Sequence, residues 1–287
     1  MLNSDRVCLT GSSSSEWIAA QRLISQFARV YSYDRAGYGF SRDLSSSISL
    51  PTAASPPTAA KRCKDLTDLL ESAGIEPPWV LVGHSYGGTL VRKFAVVHGP
   101  QKVVGLVLVD AAANRTALPA DWPSLLGGKS YWDVVGLEED RKQCLNSKEW
   151  EQIKKDEEMN GPVASLESEW QESSARSVNE EVNGKQVLGN QPVCVVFCDT
   201  AVDFGKIHRH AVATGAGTEE ARQALGKRLE DMSKIEERGQ RIHLGLSTNS
   251  RFERVEGDAR THNVHMIRPE VVVDTVKWVL EQLPWET

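Results

Sequence analysis

The stretch WVLVGHSYGGTLVRKFAVVHG, Trp79 to Gly99, constrains this chain more than any other. Val80, Leu81 and Val82 are consecutive apolar residues, the pattern of a parallel strand buried on both faces, and the residues after Ser85 space their apolar members as a helix does. A serine held between such a strand and such a helix sits in a strained turn, where small residues are needed two positions before and after it. Gly83 and Gly87 occupy those positions, and Gly88 lets the helix pack closely. The pentapeptide G-x-S-x-G alone is weak, because it arises by accident in about one chain in ten of this length. Its setting carries the reading. Neither G-x-G-x-x-G nor a G-K-[ST] phosphate loop is present, which argues against a nucleotide-binding turn and leaves Ser85 as a candidate nucleophile.

The remaining segments repeat the strand and helix alternation. RVCLTG, VYSYDRAGYGFS, KVVGLVLVDAAA, QPVCVVFCDT and SRFERVEG read as strands with their turns. EWIAAQRLISQFA, AAKRCKDLTDLLESAGI and PEVVVDTVKWVLEQL read as helices. This alternation predicts an α/β fold with a mostly parallel sheet and right-handed crossovers. RDLSSSISLPTAASPPT is a surface linker, since its prolines forbid a regular element. Between Asn114 and Gln191 the alternation stops, and a polar, helical stretch carries Trp122, Trp132, Trp150 and Trp170. The predicted organisation is a core of residues 1–113 and 191–287 interrupted by a helical cap, 114–190. TEEARQALGKRLEDMSKIEERG aligns Ala221, Leu225, Leu229, Met232 and Ile235 on one stripe, predicting one helix packed on the sheet between the last two strands.

Composition narrows the partners. A net charge of −6 with 40% hydrophobic residues describes an ordinary globule with no attraction to nucleic acid or to an anionic membrane. No apolar run approaches a membrane span and no signal-peptide pattern opens the chain, so a cytoplasmic location is expected. Five cysteines without C-x-x-C, and no histidine at zinc spacing, signal neither a disulfide framework nor a metal site. Cys194 and Cys198, four apart on one strand, would share a face about 13 Å apart, beyond disulfide reach.

The blocks YSYDRAGYGFS, LLESAGIEPPWVLVGHSYGG, VVGLVLVDAAA and RTHNVHMIRPEVVVDTVKWVL together resemble the α/β-hydrolase superfamily, particularly small esterase-like members with a cap insertion. The resemblance implies an α/β-hydrolase fold and a triad in the chain order nucleophile, acid, histidine. His262, seven residues before Pro269, stands where similar sequences carry the catalytic histidine, with His265 its near rival. The acid follows either of two strands in this family. Asp110 ends LVLVD and is the first choice, with Asp203 and Asp199 after VCVVFC as alternatives. The resemblance gives one oxyanion donor to the backbone N–H of Tyr86. The other comes from the loop after the first strand, where Thr10, Gly11 and Ser12 replace the His-Gly often found there. Relatives usually carry one or two strands ahead of this point, which predicts an exposed sheet edge that a homodimer would cover.

The expected function is therefore a serine hydrolase that cleaves an ester or lactone of a small, apolar or aromatic substrate without cofactor or metal. Trp132, beside Tyr131 and Asp133, is the candidate substrate-binding residue. Two rivals keep the fold: a lyase or cyclase using the Ser-His pair for proton transfer, and a small-molecule receptor on a retired hydrolase scaffold.

Overall fold

The computed structural model describes residues 6–42, 51–52, 55–111, 113 and 118–284. Six strands form one sheet: β1 (Arg6–Thr10), β2 (Arg29–Ser32), β3 (Trp79–His84), β4 (Val103–Val109), β5 (Val193–Phe197) and β6 (Ser250–Arg254). Their spatial order is β2-β1-β3-β4-β5-β6, and every pairing is parallel. The α-helices among the described residues are α1 (Ile18–Ile24), α2 (Ala59–Ser72), α3 (Gly87–His98), α4 (Tyr131–Val135), α5 (Leu137–Asp140), α6 (Ser147–Val182), α7 (Ala201–Thr214), α8 (Glu219–Leu229), α9 (Met232–Arg241), α10 (Val264–Ile267) and α11 (Pro269–Glu281). The fold is that of an α/β hydrolase.

Side chains alternate across the pleat, so each inner strand feeds two cores. Val7, Leu9, Val80, Val82, Val107 and Val109 face α1 and α11, where Ile24, Val272, Val276 and Val279 meet them. Cys8, Leu81, Leu106, Leu108, Val193 and Val195 face α2 and α3, packing on Leu66, Leu70, Leu90 and Phe94. Burial of each such side chain is worth about 1.5–3 kcal/mol, which fixes the sheet as the scaffold for everything at its ends. Cys194 and Cys198 both enter the first of these cores and are free thiols.

A third apolar cluster lies beyond the sheet and corrects the reading of residues 218–239. The stripe Ala221, Leu225 and Met232 packs with Phe204, Ile207 and Leu125 rather than on the sheet. The chain there is two helices, because it leaves helical geometry at Asp231 (φ −126°, ψ −4°), a break held by the Arg228–Asp231 ion pair. α7, whose Phe204, Ile207 and Ala211 supply much of that cluster, is a helix the sequence reading leaves unassigned. Residues 43–50 and 53–54 of the serine- and proline-rich linker, and 114–117 at the start of the expected cap, lie outside the described residues.

The 36-residue α6 crosses the ends of the strands and is tied down by buried polar contacts. Glu167 accepts from Arg35 Nη2 at 2.6 Å, Arg62 Nε at 2.8 Å and Tyr38 Oη at 2.7 Å. Asp156 accepts from Ser15 Oγ at 2.7 Å, and Ser174 Oγ accepts from Ala59 N at 3.0 Å. Burial alone would raise the Glu167 carboxyl, yet Arg35 and Arg62 hold it below its ordinary value. No helix among the described residues is long and apolar enough to cross a membrane.

Candidate active site

Three non-glycine residues among those described have left-handed backbone: Ser85 (φ 57°), Asp110 (φ 44°) and Asp199 (φ 60°). Each follows the C-terminal end of a strand, β3, β4 and β5 in turn, the edge where open α/β sheets bind ligands. Such strain costs about 1–3 kcal/mol per residue and persists only where the surroundings enforce it. Around Ser85 the enforcement is visible. A Cβ at Gly83 would lie 2.6 Å from the Gly87 carbonyl oxygen, and one at Gly87 would lie 2.4 Å from that of Thr10. A Cβ at Gly88 would meet Ala111 Cβ at 2.3 Å. Only glycine lets the turn close against β1 and lets α3 start so near β4.

Asp110 is buried and receives four hydrogen bonds. They come from His262 Nδ1 at 2.7 Å, Thr200 Oγ1 at 2.6 Å, Gln240 Nε2 at 2.8 Å and Cys198 N at 3.2 Å. Burial pushes its carboxyl upward, but the bonds from His262, Thr200 and Gln240 outweigh that and hold it at about 2. The group is thus ionised at neutral pH and can only accept. His262 Nδ1 must carry the proton, which leaves Nε2 of the neutral ring with its lone pair as a base.

The other two aspartates touch the same loop without touching the imidazole. Asp203 Oδ2 accepts from His262 N at 2.8 Å, Thr261 Oγ1 at 2.8 Å and Tyr131 Oη at 3.2 Å. Burial raises its carboxyl. Asp199 pairs with Arg260 at 2.5 Å. All three acids expected from the sequence therefore converge on residues 260–262, and Asp110 alone meets the ring. Thr200 and Gln240, which complete the shell of Asp110, escaped the sequence reading. Thr200 adjoins Asp199, whereas Gln240 lies 130 residues from its partner with no sequence signal.

Ser85 and His262 line one cavity of ≈ 290 Å³ together with Gly11, Ser12, Tyr86 and Trp132. Thr10 does not line it, since its carbonyl packs against Gly87. Trp132 also packs at a tilt of 35° against the buried Trp150, with ring centroids 4.8 Å apart. His265 sits deeper than His262, 1% exposed, between the rings of His84 (4.1 Å) and Trp17 (4.8 Å). His84 Nε2 in turn bonds the His262 carbonyl at 2.7 Å. A second, larger cavity of ≈ 850 Å³ meets the first at Ser85, Tyr86 and Gln171. α6 roofs both: Glu157, Gly161, Ala164 and Gln171 line the first, and Gln171, Ala175, Asn179 and Val182 line the second, at successive helical turns. Among the described residues no group of three His, Cys, Asp or Glu side chains is arranged to hold a metal ion.

The model of the alpha/beta hydrolase family matches residues 7–275. A protein of Gibberella zeae described as an AB hydrolase superfamily protein is 28% identical over 288 residues, covering 96% of this chain and 84% of that relative. A protein of Hormonema carpetanum described as a probable transporter is 28% identical over 282 residues, 96% of this chain. This chain spans 38% of that protein's length. Among solved structures, the meta-cleavage product hydrolase of Pseudomonas fluorescens IP01 matches with a TM-score of 0.55 at 14% identity, over 98% of this chain and 91% of the other, a likeness of fold.

Proposed function

Since the chain belongs to the alpha/beta hydrolase family, we propose that it is a serine hydrolase acting on an ester-like bond of a small substrate. His262 Nε2 takes the proton of Ser85 Oγ as that oxygen attacks the carbonyl carbon. The N–H groups of Tyr86 and of the Gly11–Ser12 turn receive the oxyanion, and Asp110 stabilises the imidazolium that forms. His262 then protonates the departing alkoxide, and water repeats the cycle on the acyl-enzyme. Helix α6 of the expected cap acts as the lid, excluding bulk water from the reacting atoms. The observation that carries this reading is the 2.7 Å bond from His262 Nδ1 to Asp110 beside a serine held at positive φ in the same cavity.

The test is turnover of a panel of short-chain esters, lactones and thioesters. Ser85→Ala and His262→Ala are each expected to lower kcat about a thousandfold or more with circular dichroism unchanged. Retention of wild-type turnover by either variant overturns the assignment.

A further inference from the structure

Arg92 is a buried charge without a counter-charge. It is 1% exposed on α3, and among the described residues its hydrogen bonds all end on neutral oxygens: the Gly88 carbonyl at 3.2 Å, Asn179 Oδ1 at 2.7 Å and Thr89 Oγ1 at 3.4 Å. No carboxylate of the described residues lies within 4.0 Å of it. Arg35 and Arg62, also buried, share Glu167. A buried guanidinium left unpaired is costly. Burial alone pulls Arg92 down from 12.5 to about 10, with no acid to oppose it, whereas Glu167 lifts Arg35.

Its place gives that charge a use. Ser85, Tyr86, Thr89 and Arg92, on α3 and the turn before it, all line the ≈ 850 Å³ cavity. The Nε bond to the Gly88 carbonyl folds the guanidinium back toward the N-terminal end of α3, the end that holds Ser85. Its three bonds leave one N–H uncommitted on each terminal nitrogen. The other charges on that wall do not cancel it. Glu172 pairs with Arg176 at 2.8 Å, and both Glu172 and Glu180 are exposed, where solvent and salt screen them far more than a buried charge. His243, on the same wall, stays neutral. The direction of the ester follows from the base. His262 delivers its proton to the departing alkoxide, so the leaving group lies on the His262 side, in the ≈ 290 Å³ cavity. The acyl chain then extends into the ≈ 850 Å³ cavity, whose wall includes Ser85 and Tyr86 but not His262. A carboxylate on that chain matches the guanidinium fork and, away from bulk water, is attracted to it across several ångströms.

We propose that Arg92 makes the large cavity selective for an anionic acyl group, and that the substrate of this enzyme is the half-ester of a dicarboxylic acid, its free carboxylate facing Arg92 while its ester carbonyl meets Ser85. This rests on the serine hydrolase reading, but the selectivity can be tested without it. Rates with monomethyl succinate, glutarate and adipate are compared with those of methyl pentanoate, hexanoate and heptanoate, neutral esters of similar length. At least one half-ester is expected to exceed its neutral counterpart about tenfold in kcat/KM. In Arg92→Gln that ratio should fall to near one, whereas loss of a merely structural arginine would lower both rates together and leave the ratio in place. Absence of the preference in the unaltered enzyme overturns the proposal whether or not the variant folds, and so does its survival in Arg92→Gln. Where Arg92→Gln does not fold, a crystal structure of the Ser85→Ala protein with monomethyl glutarate decides: the carboxylate is expected on the Arg92 wall of the large cavity, and its placement elsewhere overturns the proposal. If no ester is turned over and Ser85 takes no phosphonate label, the hydrolase reading fails. Calorimetry of monomethyl glutarate and methyl hexanoate on the Ser85→Ala protein then decides the selectivity, with about tenfold tighter binding of the anion expected and equal affinity overturning it.

Discussion

Asp110 shows how much one residue's surroundings decide. Three aspartates lie near His262, yet only Asp110 meets the imidazole, because only its left-handed turn after β4 points the carboxylate at Nδ1. Asparagine in its place keeps the shape but lets the wrong tautomer form, a change that costs about ten thousandfold in kcat in a serine protease. Asp110→Asn is expected to lose activity on that scale in the ester panel, whereas Asp199→Asn, which gives up only the pair with Arg260, stays within about tenfold. Equal losses in the two variants would mean that the acid acts through loop stability. The residue scale was also the most legible in the sequence. Gly83, Gly87 and Gly88 around a serine between an apolar strand and a helix have few physical explanations, and LVLVD puts an acid at a strand end. Asp110 was the first choice among the three aspartates only through the resemblance; the contacts that set it on the imidazole, Gln240 arriving from α9 among them, were not legible.

At the scale of elements, α6 is the informative case. Its sequence is polar throughout, so helicity could be read but its inner face could not. That face is set by partners more than 100 residues away, Arg35 and Arg62 for Glu167 and Ala59 for Ser174. The stripe over residues 218–239 failed for a related reason. Periodicity says which residues share a face, not what covers it, and α7 covers this one. Removing the charge of Glu167 leaves two buried guanidiniums without their shared carboxylate. Glu167→Gln is therefore expected to lower unfolding stability by about 3–5 kcal/mol in urea titration. A loss below about 1 kcal/mol would show that packing, rather than this ion-pair cluster, fixes α6.

Across the whole molecule, burial of ionisable groups links stability to pH. His243, buried beside Arg92 and bonded to the Ala111 carbonyl at 2.6 Å, is driven from 6.5 down to about 3, by burial first and by Arg92 second. Below pH 6.5 the unfolded chain takes a proton there that the folded chain refuses until about pH 3. Its contribution is thus fully present above 6.5 and declines by about 1.4 kcal/mol per pH unit as the solution is acidified toward 3. Between pH 7 and pH 5 this amounts to about 2 kcal/mol, and His243→Gln should flatten the pH dependence of unfolding by that amount. An unchanged slope would mean that the imidazole is protonated in the folded protein. The same molecule places Ser85, His262 and Asp110 at the C-terminal ends of its strands under one roof, and the account stands or falls on whether that serine is activated. The direct test is reaction of the purified protein with a fluorophosphonate, followed by peptide mass spectrometry. The account predicts a single adduct on Ser85 that disappears in His262→Ala; an unlabelled wild-type protein, or an adduct on any other residue, would contradict it.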